Sequence, residues 1–130
     1  MLLDSNLFIY AILPEYALLR EWCIAQDIRA SDVTRIEVLG YHRLSEKDKA
    51  DLNSLFELAS IYPISASIVD SAIRLRQTRK IKLGDSIIAA TALEHRQTLA
   101  TRNMKDFEWI EGLKVVDPLT ESFPDQGAPR

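Results

Sequence analysis

The chain has few of the residues that form covalent or metal cross-links. Among its 130 residues there is one cysteine, Cys23, so no internal disulfide can form. The two histidines, His42 and His95, complete no Cys/His cluster with zinc-ligand spacing. Cys23 lies in an apolar helical stretch and is expected to be an inert core residue. Long hydrophobic runs are also missing. The longest, LFIYAIL at 7–13, stops at Pro14, too short to span a bilayer. The opening MLLDSN carries no basic leader, so a cytoplasmic protein with no membrane partner is expected. Nor is there an excess of positive charge. The net charge of −3 argues at face value against a nucleic-acid partner, yet four carboxylates committed to a cation site would leave the remainder slightly positive.

What is present fits one globular domain. The composition, 47% hydrophobic and 27% charged, is that of a folded chain long enough to bury a real core. LLD at 2–4 is fully apolar before its aspartate, as a strand covered on both faces would be. Helical patterning follows at 5–12, and Pro14 opens a second helix in which Tyr16, Leu19, Cys23 and Gln26 share a face. DIRA at 27–30 is a second strand; Ser31 or Asp32 caps a helix through His42, and Ser45 caps another. SIYPI at 60–64 is a third strand, with Pro63 marking an edge or an end. Helices over 67–79 and from KLGD onward, strands at 98–100 and 114–116, and a short helical turn at 103–107 complete the pattern. Strands alternating with helices predict a three-layer α/β/α sandwich around a central parallel sheet. Residues 1–119 form the domain; little in the segment from Pro118 onward can pack, and 120–130 is expected to be a loose tail.

Such a sheet gathers ligand chemistry at the carboxyl ends of its strands, and acids recur there. Asp4 ends the first strand, where it can equally cap the next helix. Glu37 falls within a stripe of Val33, Ile36, Gly40, Tyr41 and Leu44, so it is expected to face inward and to need a partner, a cation or a raised pKa. A salt-bridged core acid is the alternative. Asp85 leads a stripe of Ile88, Ala89 and Ala92; a cap explains its place at the helix start but not its inward direction. Asp106 follows the fourth strand and alone is unspecific. Like charges 4 Å apart repel by roughly 4 kcal/mol at an effective dielectric near 20, so a cluster of four shares protons or binds cations. All-oxygen ligands select Mg²⁺ or Mn²⁺, and such a site supports phosphodiester hydrolysis. Ser5, Asn6, Thr101 and Asn103 add neutral polar groups around it, each equally at home in a turn or cap.

Taken together, LLDSN at 2–6, TRIEVLGY at 34–41, KLGDSIIAATAL at 82–93 and LATRNMKDF at 99–107 resemble the PIN-domain ribonucleases, in particular toxins of the VapC type. The resemblance runs from Met1 to about Leu119. It implies a PIN-like fold and a metal-dependent endoribonuclease with Asp4, Glu37, Asp85 and Asp106 as the acidic quartet, catalytic and metal-binding. It also implies silencing by an antitoxin protein and a homodimer. Ser5 stands where the family often has threonine, and Gly84 where it often has proline. Two features fit from the residues alone. NLFIYAIL at 6–13 is apolar on nearly every face, more than one buried stripe requires. RLRQTRKIK at 74–82 brings Arg74, Arg76, Arg79, Lys80 and Lys82 with no acid, either a phosphate contact or a solvated helix end. Two other classes stay open. One is a binding module that keeps the fold without catalysis. The other is an aspartyl phosphatase built on Asp4, disfavoured because Asn6 stands where a second aspartate is needed.

Overall fold

Two leucines begin the sheet, and they face opposite ways. Leu2 packs into one hydrophobic core with Ile88, Ala89, Leu99 and Phe107, whereas Leu3 packs into another with Leu7, Phe8, Val38 and Ala100. Alternation along a strand with both faces covered is what a parallel sheet between helical layers demands. The computed structural model describes residues 1–121. Its strands are β1 (Leu2–Leu3), β2 (Arg29–Ser31), β3 (Ser60–Tyr62), β4 (Leu99–Ala100) and β5 (Val115–Val116). All pair parallel, in the order β3-β2-β1-β4-β5. The helices are α1 (Ser5–Ala11), α2 (Ala17–Ala25), α3 (Asp32–Leu39), α4 (Glu46–Glu57), α5 (Ala66–Thr78), α6 (Leu83–Glu94) and α7 (Pro118–Glu121).

One face of the sheet is closed by α1, α2 and α4, with Phe8 and Phe56 stacked at a centroid distance of 4.3 Å. The other is closed by α6, whose Ile88, Ala89 and Ala92 are fully buried, and by Phe107 and Ile110 from the segment after β4. Ile68 and Ala72 of α5 pack on Ala90 at the back of α6. Cys23 is fully buried, and burial pushes its thiol up to about 12. No helix of the described residues is long and apolar enough to cross a membrane.

Several boundaries differ from the sequence pattern. Pro14 opens a 3₁₀ turn, Pro14–Tyr16, before α2 begins. β3 stops at Tyr62, just before Pro63, on one edge of the sheet. Ser31, not Asp32, caps α3 by accepting from the Val33 N–H, and α3 ends at Gly40 rather than reaching His42. The inward stripe expected around Glu37 is corrected with it. The buried face of α3 is Val33, Thr34 and Val38, while Ile36 is 68% exposed and Tyr41 54% exposed. The loose segment expected from Pro118 begins instead as α7. Its first amides are capped by Asp117, which accepts from the Leu119 N–H at 3.1 Å, and Leu119 is buried against the α1 side of the core. The rest of the expected tail, 122–130, lies outside the described residues.

Candidate active site

At the carboxyl ends of β1 and β4 two side chains lock together. Asp4 leaves β1 with extended backbone and caps α1, its Oδ1 accepting from the Ser5 N–H at 2.8 Å. Its Oδ2 accepts from the Thr101 hydroxyl, at the end of β4, at 2.6 Å, and Thr101 Oγ1 accepts from the Asn103 N–H at 3.0 Å. Because β1 and β4 are neighbours in register, Leu3 against Ala100, the sheet itself aims the Asp4 carboxylate. Asp4 is buried, and burial raises its pKa. Thr101 and the Ser5 amide pull the other way, while Glu37 and Asp106 add to the rise.

Glu37 reaches the same place from α3. Its side chain is exposed, so the interior position expected for it is not observed. It stands on the flank of the buried stripe, over the cleft. The Ser5 hydroxyl donates to Glu37 Oε1 at 2.7 Å and hydrogen-bonds with the Thr34 hydroxyl at 3.2 Å. The first turn of α6 leaves room for it: a Cβ on Gly84 would lie 2.3 Å from Glu37 Oε2. Asp85 follows one residue later. The N-cap of α6 is Lys82, which makes no side-chain cap bond, and among the described residues the Asp85 carboxylate makes neither a hydrogen bond nor an ion pair. Burial comes first in pushing its pKa up to about 6, followed by Asp4 and Asp106, with Lys82 opposing and Glu37 adding a smaller rise.

Asp4, Glu37 and Asp85 thus line one cleft of about 230 Å³, with Ser5, Asn6, Ile9, Val38 and Asn103. The acids come from segments roughly thirty to fifty positions apart along the chain, as the sequence positions show. Asn6 brings a buried Oδ1 that finds no hydrogen-bond partner among the described residues. Asp106 stands one cleft further on, in the 3₁₀ turn Met104–Asp106. That second cleft, of about 450 Å³, shares Asp85 and is lined by Arg76, Arg79, Lys80, Lys82, Lys105 and Trp109. Arg74 lies back along α5 and is not among its walls. Lys105 and Trp109 were not singled out in the sequence. A cation beside Asp106 is the one local signal, and only the fold brings it into the cleft that Arg79 also lines. His95 stacks flat on Tyr62, centroids 3.7 Å apart, at the far end of α6 from Asp85.

Among the described residues no three His, Cys, Asp or Glu side chains are drawn together as a ready-made metal cage. Mg²⁺ does not require one, since it keeps several of its waters and takes one or two carboxylates. An unpaired Asp85, a buried Asp4 and an orphaned amide oxygen on Asn6 fit such a hard, hydrated cation.

Known proteins share this chain's family and fold. The PIN domain family model matches residues 1–112. Ribonuclease VapC1 of Rickettsia felis is 30% identical, the match covering 75% of this chain and 81% of that one. Among solved structures, a toxin–antitoxin complex from Klebsiella pneumoniae contains a chain 33% identical, superimposing with a TM-score of 0.71 over 90% of this chain and 96% of that one. VapBC2 from Rickettsia felis, solved bound to a DNA fragment from its promoter, superimposes with a TM-score of 0.73 over 89% and 96% of the two chains. At 23% identity that last likeness speaks for the fold alone.

Proposed function

This chain belongs to the PIN domain family, among its VapC-type toxin ribonucleases, and from that premise we propose that it is a Mg²⁺-dependent endoribonuclease, the toxin of a toxin–antitoxin pair. The observation that carries the metal-dependent reading is the cleft that Asp4, Glu37 and Asp85 line, with the Asp85 carboxylate left unpaired and its pKa pushed up to about 6. Acids crowded at an electrostatic cost, with no basic partner in the cleft, are arranged for a cation.

Asp4 and Asp85 are the proposed principal ligands of Mg²⁺, or Mn²⁺, with Glu37 and Asp106 completing the acidic set. Such an ion, when bound, would supply Lewis acidity toward water and charge balance for the phosphate. The protein's own part is positional. Thr101 and the Ser5 amide hold both oxygens of Asp4, so its carboxylate has one orientation. The Ser5 hydroxyl holds one oxygen, Oε1, of Glu37. Asn103, whose amide anchors Thr101, lines the cleft where a phosphate oxygen would enter. Arg76, Arg79, Lys80 and Lys82 face the adjoining cleft and are the proposed RNA contacts; Arg74 would contribute only to an approaching strand.

An antitoxin protein and a second copy of this chain are the proposed protein partners. The groove between α2 and α4, where Ile24 and Leu58 are each 56% exposed, offers an apolar seat for the first. Ile36 and Ile64 line a separate cleft suited to the second. Induction of the wild-type chain in a bacterium is expected to arrest growth, with new RNA ends appearing at defined sites. Asp4→Asn, which keeps a good helix cap, and Asp85→Asn are expected to do neither. Equal arrest by all three proteins would sink the assignment.

A further inference from the structure

The two clefts that meet at Asp85 differ in charge. No lysine or arginine lines the carboxylate cleft, whereas five cations line its neighbour. Among the described residues none of those five is engaged in an ion pair. They come from two segments of the chain. Arg76, Arg79, Lys80 and Lys82 come from the end of α5 and the connection to α6, and Lys105 comes from the turn after β4. One of them is fixed in advance. The Arg79 guanidinium lies over the Trp109 ring, 5.2 Å from its centroid, and the Trp109 indole N–H donates to the Asp106 carbonyl at 2.9 Å. A guanidinium braced on an aromatic plate gives up less side-chain freedom when it meets a phosphate. Apart from its acids, the carboxylate cleft is lined only by Ser5, Asn6, Ile9, Val38 and Asn103, none of them charged.

We propose that the protein grips RNA on one flank of the scissile bond only, through strand phosphates seated between Arg79 and Lys105. The other flank leaves across the cation-free wall. This rests on the endoribonuclease reading and adds a direction to it. The fragment carrying the gripped flank dissociates last after cutting, and it competes with fresh substrate.

The test uses an end-labelled single-stranded RNA cut by the wild-type protein, sparsely ethylated at its phosphates. Ethyl groups on one side of the cut are expected to block cleavage, while those on the other side, past the scissile phosphate's neighbour, do not. Binding is then read by fluorescence anisotropy in EDTA. Arg79→Gln and Lys105→Gln are each expected to weaken binding about tenfold and to lower the salt slope by about 0.7. Lys114→Gln, just ahead of β5 at the opposite end of the sheet, is expected to bind as the wild type does. All three side chains are exposed, so melting temperatures should coincide. Interference spread evenly about the cut, or wild-type affinity in both cleft variants, overturns the proposal and leaves the nuclease reading standing. A wild-type protein that neither cuts nor binds RNA overturns both.

Discussion

Asp85 holds its proton more tightly in the folded chain than in the unfolded one, about 6 against an ordinary 3.8. The folded state therefore binds more protons between those values, and stability falls as pH rises through them. The contribution is complete below about pH 4 and lost above about pH 6. Asp85→Asn, which stays neutral throughout, is expected to raise the melting temperature of the metal-free protein at pH 7 by a few degrees. This corresponds to about 1 kcal/mol once the half-exposed position of the carboxyl is allowed for, and the gain should vanish at pH 4. Scanning fluorimetry at the two pH values checks it, and a loss of stability at pH 7 would mean the carboxylate has a structural partner. Added Mg²⁺ should raise the wild-type melting temperature but not that of the variant. At this scale the sequence was informative about Asp85. Its stripe of Ile88, Ala89 and Ala92 is indeed buried, and the cap position went to Lys82 instead. Lys105 was not legible, because a single lysine beside an aspartate has no pattern until the fold brings Arg79 into the same cleft.

Between α3 and α6 the fit is close at one atom. The missing side chain of Gly84 is the space in which Glu37 Oε2 rests. Gly84→Ala should improve helix propensity by about 0.5–1 kcal/mol while pushing the Glu37 carboxylate aside. The expected outcome is a melting temperature at or above that of the wild type together with RNA cleavage reduced several-fold. Cleavage and melting measured on the same preparation separate the two effects. Short elements are where sequence patterns gave least. Over eight residues the stripe of α3 can be drawn through Val33 and Ile36 or through Thr34 and Val38 with similar regularity. The second is buried because Thr34 and Val38 lie under α1 and the sheet. In α7 a four-residue helix has no periodicity at all, and only packing shows that Leu119 is core. Leu119→Ala should cost about 2–3 kcal/mol, read as a lower urea midpoint with an unchanged slope.

For the molecule as a whole, alternation of strand and helix was enough to predict a parallel sheet, and a parallel sheet was enough to put Asp4 and Thr101 at the same edge. Which helix flank brought Glu37 there, and that the cations would line a neighbouring cleft together with Asp85 and Asp106, depended on packing among segments far apart in the chain. β1 sits at the centre of the sheet, and half of its pairing is to a strand nearly a hundred positions away, Leu2 to Leu99 and Leu3 to Ala100. A chain ending at residue 96 lacks β4, β5 and Thr101. It is expected to show no cooperative melting, and a sharp transition in that fragment would overturn the expectation. The same wiring bears on how such a protein is made. Emerging from a ribosome, the chain exposes Asp4 well before Thr101 and cannot fasten that carboxylate until the Thr101 hydroxyl arrives. A copy still under synthesis therefore holds Asp4 without its Thr101 partner until β4 has been added beside β1.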